Sequence, residues 1–228
     1  MSSGIGGGPI GVLALQGAFA RHIEAFERCG FESREVRQPA HLEGIGGLVI
    51  PGGESTTMSK LMATFELVDP IAKLLADGLP TFGTCAGMIV LAGRVLDGSV
   101  SASSVLDHSA LDGAVLDGRV LDGAVSDGVE QHCFGAIDID VRRNGYGRQI
   151  DSFESDVDVS GVAGGPMRAV FIRAPVVERV GENVDVLATV DGAPVVCRQG
   201  SVLVSSFHPE LTDDDRLHQL FLSDFVAR

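Results

Sequence analysis

Phe82-Gly83-Thr84-Cys85-Ala86-Gly87 is the stretch of sequence that decides the fold. The apolar residues before it predict a strand and those after it a helix, so a cysteine occupies the tight turn between them. Glycine on either side relieves the crowding of closely approaching backbones, and the turn lifts the Cys85 side chain clear of the sheet. The helix N-terminus favours a thiolate, and the Ala86 N–H is placed to bind an oxyanion. The pattern predicts a nucleophile elbow built on sulfur; a buried structural cysteine is the alternative.

Short apolar strands and amphipathic helices alternate on both sides of this turn. In the first third of the chain, this alternation predicts βαβ units and a mainly parallel sheet in an α/β fold. In the second half, strand candidates are separated by Gly, Asp or Pro, and several are expected to pair antiparallel. A last helix carries an apolar stripe at helical spacing. The predicted strands cover residues 10–15, 32–36, 47–51, 79–82, 136–141, 169–173, 184–190, 194–198 and 202–207.

The composition limits the partners of this chain. It has 228 residues and a formal net charge of −14, from 31 Asp and Glu against 17 Lys and Arg. A protein this acidic binds phosphate backbones and anionic membranes poorly, so we expect neither nucleic acid nor membrane as a partner. No apolar run approaches the ~20 residues that cross a bilayer, and residues 1–8 predict a flexible leader without a signal peptide. Four cysteines without a CxxC pair predict reduced thiols and a cytoplasmic protein.

A five-residue repeat interrupts what is otherwise predicted as one domain over residues 9–228. Units such as Val-Leu-Asp-Gly recur through residues 95–129. They predict a low-complexity insertion on the surface, and a small β-solenoid is the alternative. Single carboxylates at this spacing do not supply the about six to eight oxygen ligands that calcium needs, so no metal site is predicted.

A cysteine nucleophile needs a base and a group that orients the base. Of the six histidines, His208 is the candidate, because it ends the apolar strand predicted at 202–207. The carboxyl ends of parallel strands are where α/β sheets place their chemistry. In extended backbone, residues i and i+2 project to the same side, so Glu210 is predicted to hold the imidazole. His22, in contrast, is predicted to lie on a surface helix.

Pro51-Gly-Gly-Glu-Ser-Thr56 is a third segment that follows a predicted strand. Its two glycines let backbone amides approach a ligand, so the Gly53 N–H is predicted to complete the oxyanion hole with Ala86. A phosphate-binding loop is a weaker alternative, because the Gly-Lys-Ser/Thr ending is missing. A plain strand-to-helix turn without a functional role is the other alternative for this segment.

Seven segments together carry a family resemblance. They are Leu13-Ala-Leu-Gln-Gly17, Pro51-Gly-Gly-Glu-Ser-Thr-Thr-Met58, Phe82-Gly-Thr-Cys-Ala-Gly87, Arg143-Asn-Gly-Tyr-Gly-Arg-Gln149, Asp151-Ser-Phe-Glu154, Phe171-Ile-Arg-Ala-Pro175 and Ser206-Phe-His-Pro-Glu-Leu-Thr212. With Cys85, His208 and Glu210 in this order, the chain resembles the class I, or triad, glutamine amidotransferases. The segments at Arg143 and Phe171 narrow the resemblance to the glutaminase subunits of pyridoxal 5'-phosphate synthase, the PdxT/SNO family.

The resemblance implies a three-layer, flavodoxin-like class I glutamine amidotransferase fold, with a mixed, mainly parallel sheet flanked by helices. It also implies hydrolysis of L-glutamine to glutamate and ammonia. Cys85 would attack the side-chain amide, His208 would shuttle the proton and Glu210 would orient His208. Gln16 falls in a matching motif near the site. The residues that match the family's glutamine pocket are Gly53, Glu54, Ser55, Arg143, Ile172 and Arg173.

The partner implied by the resemblance is a (β/α)8-barrel synthase subunit in a hetero-oligomeric lyase complex. It would use the ammonia to build pyridoxal phosphate from a pentose phosphate and a triose phosphate, and the glutaminase itself would need no cofactor and no metal. The first helix, around Arg21 and His22, is the candidate for contact with the barrel. The chain departs from the family in the link before Arg143, which is roughly thirty residues longer, an insertion that a surface loop tolerates.

Three other functions stay open on the sequence alone. The glutaminase of imidazole glycerol phosphate synthase is similar in size and is also partnered with a barrel. A binding module that keeps the fold without turnover, and a thiol peptidase of the related cysteine-elbow type, are the others. The intact Cys85, His208 and Glu210 disfavour the binding module, and the glutamine-pocket segments disfavour the peptidase.

Overall fold

A computed structural model describes residues 7–96, 132–143 and 152–226 of the chain. The helices are α1 Phe19–Arg28, α2 Ser55–Thr64, α3 Val68–Ala76, α4 Ala86–Leu91 and α5 Arg216–Phe221. The strands are β1 Ile10–Leu13, β2 Ser33–Val36, β3 Gly47–Ile50, β4 Thr81–Thr84, β5 Ala92–Leu96, β6 Ile137–Arg142, β7 Ser152–Val157, β8 Met167–Ile172, β9 Val176–Val180, β10 Asp185–Val190, β11 Ala193–Gln199 and β12 Val202–Ser205.

Seven of these strands form one mixed sheet in the order β10-β11-β12-β4-β3-β1-β2. The five from β12 to β2 are parallel, and β10, β11 and β12 pair antiparallel. Two smaller sheets, β5-β6-β9 and β7-β8, accompany it. The predicted α/β fold with a mixed, mainly parallel sheet is therefore confirmed.

The central strands are short apolar runs because both of their faces are covered. All four residues of β3 are buried, and alternate residues serve opposite sides. Leu48 and Ile50 belong to one apolar cluster with Met58 and Met62 of α2, whereas Val49 belongs to the other. Successive side chains of a strand point to opposite faces, so this division makes three layers with a core on each side of the sheet.

The structure differs from the sequence-based expectations mainly outside the central sheet. Strands β7 and β9 were not predicted, because their partly polar sequences expose alternate residues in small side sheets. The chain after α4 forms β5, which was not predicted, and β5 includes the first two residues of the predicted repeat segment. The rest of that segment and most of the predicted leader lie outside the described residues.

No helix in the described ranges is long and apolar enough to cross a membrane. Among the same residues, no group of three or more His, Cys, Asp or Glu side chains is arranged to hold a metal ion.

Candidate active site

Cys85 lies on a strained turn between β4 and α4, at the carboxyl end of the parallel strands. Its backbone has φ 49° and ψ −104°, a positive φ that is rare for a residue with a side chain. The Cys85 N–H donates to the Ser205 carbonyl at 2.8 Å, which ties the turn to β12. A Cβ on Gly87 would lie 2.0 Å from the Ile50 carbonyl oxygen. The glycine is therefore required sterically, as the sequence pattern predicts.

His208 and Glu210 follow β12 and face Cys85. His208 Nδ1 lies 2.7 Å from Glu210 Oε1, and the Cys85 side chain interacts with the imidazole. The pairing was predicted, but the predicted geometry was wrong. Pro209–Leu211 forms a single 3-10 turn, not extended backbone. This turn, rather than a strand's side-chain alternation, brings the carboxylate beside the ring.

The electrostatics of this pair favour a charged imidazole. Burial disfavours the charge on His208, but interactions with Cys85 and Glu210 outweigh it and raise the pKa of His208 to about 10. Burial likewise opposes the charge on Glu210. Nearby imidazoles and the hydrogen bond from His208 outweigh that effect and lower the pKa of Glu210. Cys85, His208 and Glu210 are 5%, 7% and 3% exposed, so these interactions act in a largely desolvated site.

The Pro-Gly-Gly loop packs directly against the imidazole. A Cβ on Gly52 would lie 2.2 Å from His208 Cε1, so only glycine fits there beside the ring in its present position. Gln16 binds the backbone of Glu54, farther along the same loop. Its Nε2 donates to the Glu54 carbonyl at 2.8 Å, and its Oε1 accepts from the Glu54 N–H at 3.2 Å. These two bonds fix the backbone on which the Gly53 amide lies.

Glu54 also begins the helix that follows the loop. Its carboxylate accepts from the Thr56 and Thr57 N–H groups, which makes it the N-cap of α2. The structure therefore assigns the capping of α2 to Glu54. Ser55 is the first helical residue and is 5% exposed. A role for Glu54 and Ser55 in binding glutamine stays a prediction.

The remaining predicted pocket residues approach from the second half of the chain. Ile172 ends β8, and its carbonyl oxygen lies 3.9 Å from Cys85 Sγ. Arg173 follows it with φ 43°, which marks a second strained backbone position beside the cysteine. Arg143 follows β6, and its Nη1 donates to Thr56 Oγ1 at 3.2 Å. Arg143 is thus tied to the segment after β3, although the two are far apart in sequence.

The prediction for His22 was wrong. His22 is fully buried on the inner face of α1, not on its surface. Its Nε2 lies 3.4 Å from Glu210 Oε2 and 3.2 Å from Thr84 Oγ1, and its Nδ1 lies 3.0 Å from His218 Nε2. A signal was present in the sequence, because His22 falls three residues after Phe19 and four before Phe26, on the apolar stripe.

Comparison with known proteins gives a consistent family. A model of the SNO glutamine amidotransferase family matches residues 12–111 and 118–227. A curated protein of Rhodococcus opacus (strain B4), pyridoxal 5'-phosphate synthase subunit PdxT, is 49% identical over 220 residues, which cover 93% of this chain and 95% of its own. The PdxT subunit of Mycobacteroides abscessus is also 49% identical, over 213 residues with the same two coverages. The break in the family match, at 112–117, falls inside the Asp-Gly repeat.

Solved structures agree with the fold. A crystal structure of a glutamine amidotransferase superimposes with a TM-score of 0.77 at 43% identity, covering 96% of this chain and 99% of its own. A glutamine amidotransferase from Thermotoga maritima superimposes with a TM-score of 0.52, covering 89% of this chain and 76% of its own. At 10% sequence identity, this second likeness concerns the fold alone.

Proposed function

The chain belongs to the SNO glutamine amidotransferase family, and from that membership we propose that it is the glutaminase subunit of a pyridoxal 5'-phosphate synthase. It hydrolyses L-glutamine to L-glutamate and ammonia, and the ammonia passes to a synthase subunit for vitamin B6 synthesis. The observation that carries the proposal is the cysteine at the elbow, beside an imidazole that a buried carboxylate holds from its other side.

The proposed reaction follows the order of these contacts. Cys85 Sγ attacks the side-chain amide carbon, and the Gly53 and Ala86 N–H groups stabilise the oxyanion. Glu210 is hydrogen-bonded to His208 Nδ1, so Nε2 is the nitrogen that takes the proton from the Cys85 thiol. The same nitrogen then gives that proton to the departing ammonia. The thioester left on Cys85 is hydrolysed by water that His208 activates, which releases glutamate.

The substrate's charged end is proposed to lie against the strained loops around the cysteine. Arg143 is the proposed partner of the α-carboxylate, since a guanidinium binds a carboxylate through two parallel hydrogen bonds. Backbone groups of Gly53, Glu54, Ser55, Ile172 and Arg173 form the rest of the proposed pocket. Their positions on two tight turns suit recognition by fixed backbone groups.

A barrel-shaped synthase subunit in a hetero-oligomeric complex is the proposed partner. The PdxT names of the relatives support a partner subunit, because each is called a subunit of a synthase. The structure changes the proposed contact. Arg21 is exposed on α1, whereas His22 is buried, so a docking face on this helix uses Arg21 without His22. We propose a cytoplasmic location, as the B6-synthesis role implies.

Isotope transfer tests the proposed product. Glutamine labelled with nitrogen-15 at its side-chain amide is supplied to the chain together with its synthase subunit and the two sugar phosphates. We expect the label in the ring nitrogen of pyridoxal phosphate. A complex with the barrel of imidazole glycerol phosphate synthase is the matched comparison. Label appearing only in that enzyme's product would contradict the proposal and support the alternative.

Removing the side chain of Gln16 is expected to slow hydrolysis without destroying the site. Gln16→Leu loses both hydrogen bonds to Glu54, so the Gly53 amide is no longer fixed, and kcat/KM should fall by about 10- to 100-fold. The matched control is Gln38→Leu, on an exposed residue that bonds His41. The measurement is glutamate formation by the complex. A Gln16→Leu rate within two-fold of the Gln38→Leu rate would contradict this role.

The kcat/KM for glutamine is expected to fall as the pH rises through about 10; this decrease is the alkaline limb of the pH profile. Loss of the His208 proton removes the acid for departing ammonia, and the pKa of His208 is raised to about 10. Glu210→Gln replaces the carboxylate with a neutral amide, so the imidazolium is less favoured and the limb should move to lower pH by about one to two units. Asp214→Asn, which removes a carboxylate paired with Arg216, should leave it in place. A wild-type limb near pH 7 in kcat/KM would contradict the assignment.

A further inference from the structure

A second buried pair of imidazoles lies behind Glu210 and has no part in the reaction as proposed. His22 and His218 are each 0% exposed, and His22 Nδ1 lies 3.0 Å from His218 Nε2. The opposite edge of the His22 ring faces the carboxylate, with Nε2 3.4 Å from Glu210 Oε2. The His22 ring therefore connects α5 to the group that holds the catalytic histidine.

The tautomers of the two rings follow from the surroundings of His218 Nδ1, which lies on the side of the pair away from Glu210. Within the described residues, His218 Nδ1 is buried without a hydrogen-bond partner. A bare ring nitrogen is the less costly group to leave unpaired, because orphaned buried N–H groups are rare. His218 therefore carries its proton on Nε2 and donates it to His22 Nδ1. The His22 proton is then on Nε2, where it faces Glu210 Oε2 and Thr84 Oγ1.

Glu210 needs a donor on this side. Its Oε1 accepts from His208, while its Oε2 is buried and has no well-aligned hydrogen bond. The 3.4 Å contact to His22 Nε2 is a charge–dipole contact rather than a short hydrogen bond, since the Nε2 proton is shared with Thr84. Burying a carboxylate oxygen without a hydrogen bond is costly. His22 is the side chain that faces this oxygen.

We propose that His22 is a positioning residue for Glu210: its Nε2–H holds Oε2, which keeps Oε1 on His208, and His218 fixes the tautomer of His22. This inference rests on the proposed function, because the position of Glu210 matters to catalysis only if His208 carries the proton. His22 touches neither substrate nor reacting atoms in this role.

Burial favours the neutral form of both rings. Burial lowers the pKa of His22, with Glu210 opposing and His208 adding to the effect. Burial also lowers the pKa of His218 well below its usual value, and His22 and Arg28 add to it. Neutral rings act as fixed dipoles, so the pair orients Glu210 rather than storing a proton.

Paired substitutions at His22 test the role. His22→Leu removes the donor and keeps an apolar filling, whereas His22→Gln keeps an N–H near the Nε2 position. Phe26→Leu is the matched control, because Phe26 lies on the same face of α1 and packs against His218 with ring centroids 5.1 Å apart. The measurement is kcat/KM for glutamine against pH, with the synthase subunit present.

We expect His22→Leu to lose at least about 10-fold in kcat/KM. Without the donor the charged form of Glu210 is less favoured, so its carboxylate protonates at higher pH and the acid limb moves up by about one unit. His22→Gln should recover activity to within about three-fold of wild type, with the limb restored. Phe26→Leu should lower stability and leave the limb in place. An unshifted limb in His22→Leu, or a loss no larger than that of Phe26→Leu, overturns the proposal.

A second readout separates this inference from the proposed function. Nitrogen-15 spectra of the histidine rings in the wild-type chain should show His22 and His218 as neutral Nε2–H tautomers from pH 7 to 8. A cationic ring or an Nδ1–H tautomer at His22 overturns the proposal, whether or not glutamine is hydrolysed. Failure of the wild-type complex to hydrolyse glutamine, with the expected tautomers present, counts against the proposed function alone.

Discussion

Cys85→Ala should reduce glutamine hydrolysis by the complex by at least about a thousand-fold, to the level of the uncatalysed reaction in the assay. In the proposed mechanism the Cys85 thiol is the attacking group, and alanine leaves no nucleophile on the elbow. The fold should survive, because alanine bears the same positive φ as cysteine and deletes only one largely buried sulfur.

Cys29→Ala is the matched control for this substitution. Cys29 is also a free thiol and follows α1, away from the elbow. Glutamate formation is measured for both variants with the synthase subunit, alongside circular dichroism and binding of that subunit. Full activity in Cys29→Ala with none in Cys85→Ala is expected. Retention of even a tenth of wild-type activity by Cys85→Ala would remove the nucleophile from the account.

Gly52→Ala should be nearly as damaging, although it adds a single methyl group. The new Cβ would lie 2.2 Å from His208 Cε1, far inside van der Waals contact. Because Glu210 fixes Nδ1 of the ring, the imidazole cannot turn away without losing its carboxylate. In the proposed mechanism a displaced His208 can no longer take the Cys85 proton, so kcat/KM should fall by at least about 100-fold.

Gly93→Ala provides the steric control for Gly52→Ala. A Cβ on Gly93 would meet nothing nearer than 3.5 Å, and neither glycine has a positive φ. Both variants are compared by glutamate formation and by urea unfolding. We expect Gly93→Ala to match wild type within two- to three-fold. Near wild-type kcat/KM in Gly52→Ala would mean that His208 works from a position other than the observed one.

The local features of this fold could be predicted because each depends on a short stretch of sequence. The elbow needs only a strand, two glycines and a helix, and the structure has all of them around Cys85. The parallel sheet follows from strands alternating with helices. The two side strands, β7 and β9, were missed because their polar faces hide the apolar alternation.

The contacts that complete the site were less predictable, because they join distant parts of the chain. Gln16 and Glu54 are 38 residues apart, and His22 and His218 are 196 apart. No local pattern specifies such pairs. His22 is an example. Its place on the apolar stripe of α1 could be predicted from the sequence, but its contact with Glu210 depends on how α1 packs against the sheet. The contact between His208 and Glu210 was predicted correctly, but from extended backbone. The structure has a 3-10 turn there instead.

The most direct test of the account is the release of ammonia and glutamate from L-glutamine by the purified chain, alone and then with its synthase subunit. We predict equal amounts of the two products, with strong activity when the synthase subunit is present and little without it, because we propose that docking rearranges the loop that carries the Gly53 amide into its active geometry. No release of either product in both conditions, with Cys85 free and reduced, would contradict the claim that this site is a glutaminase.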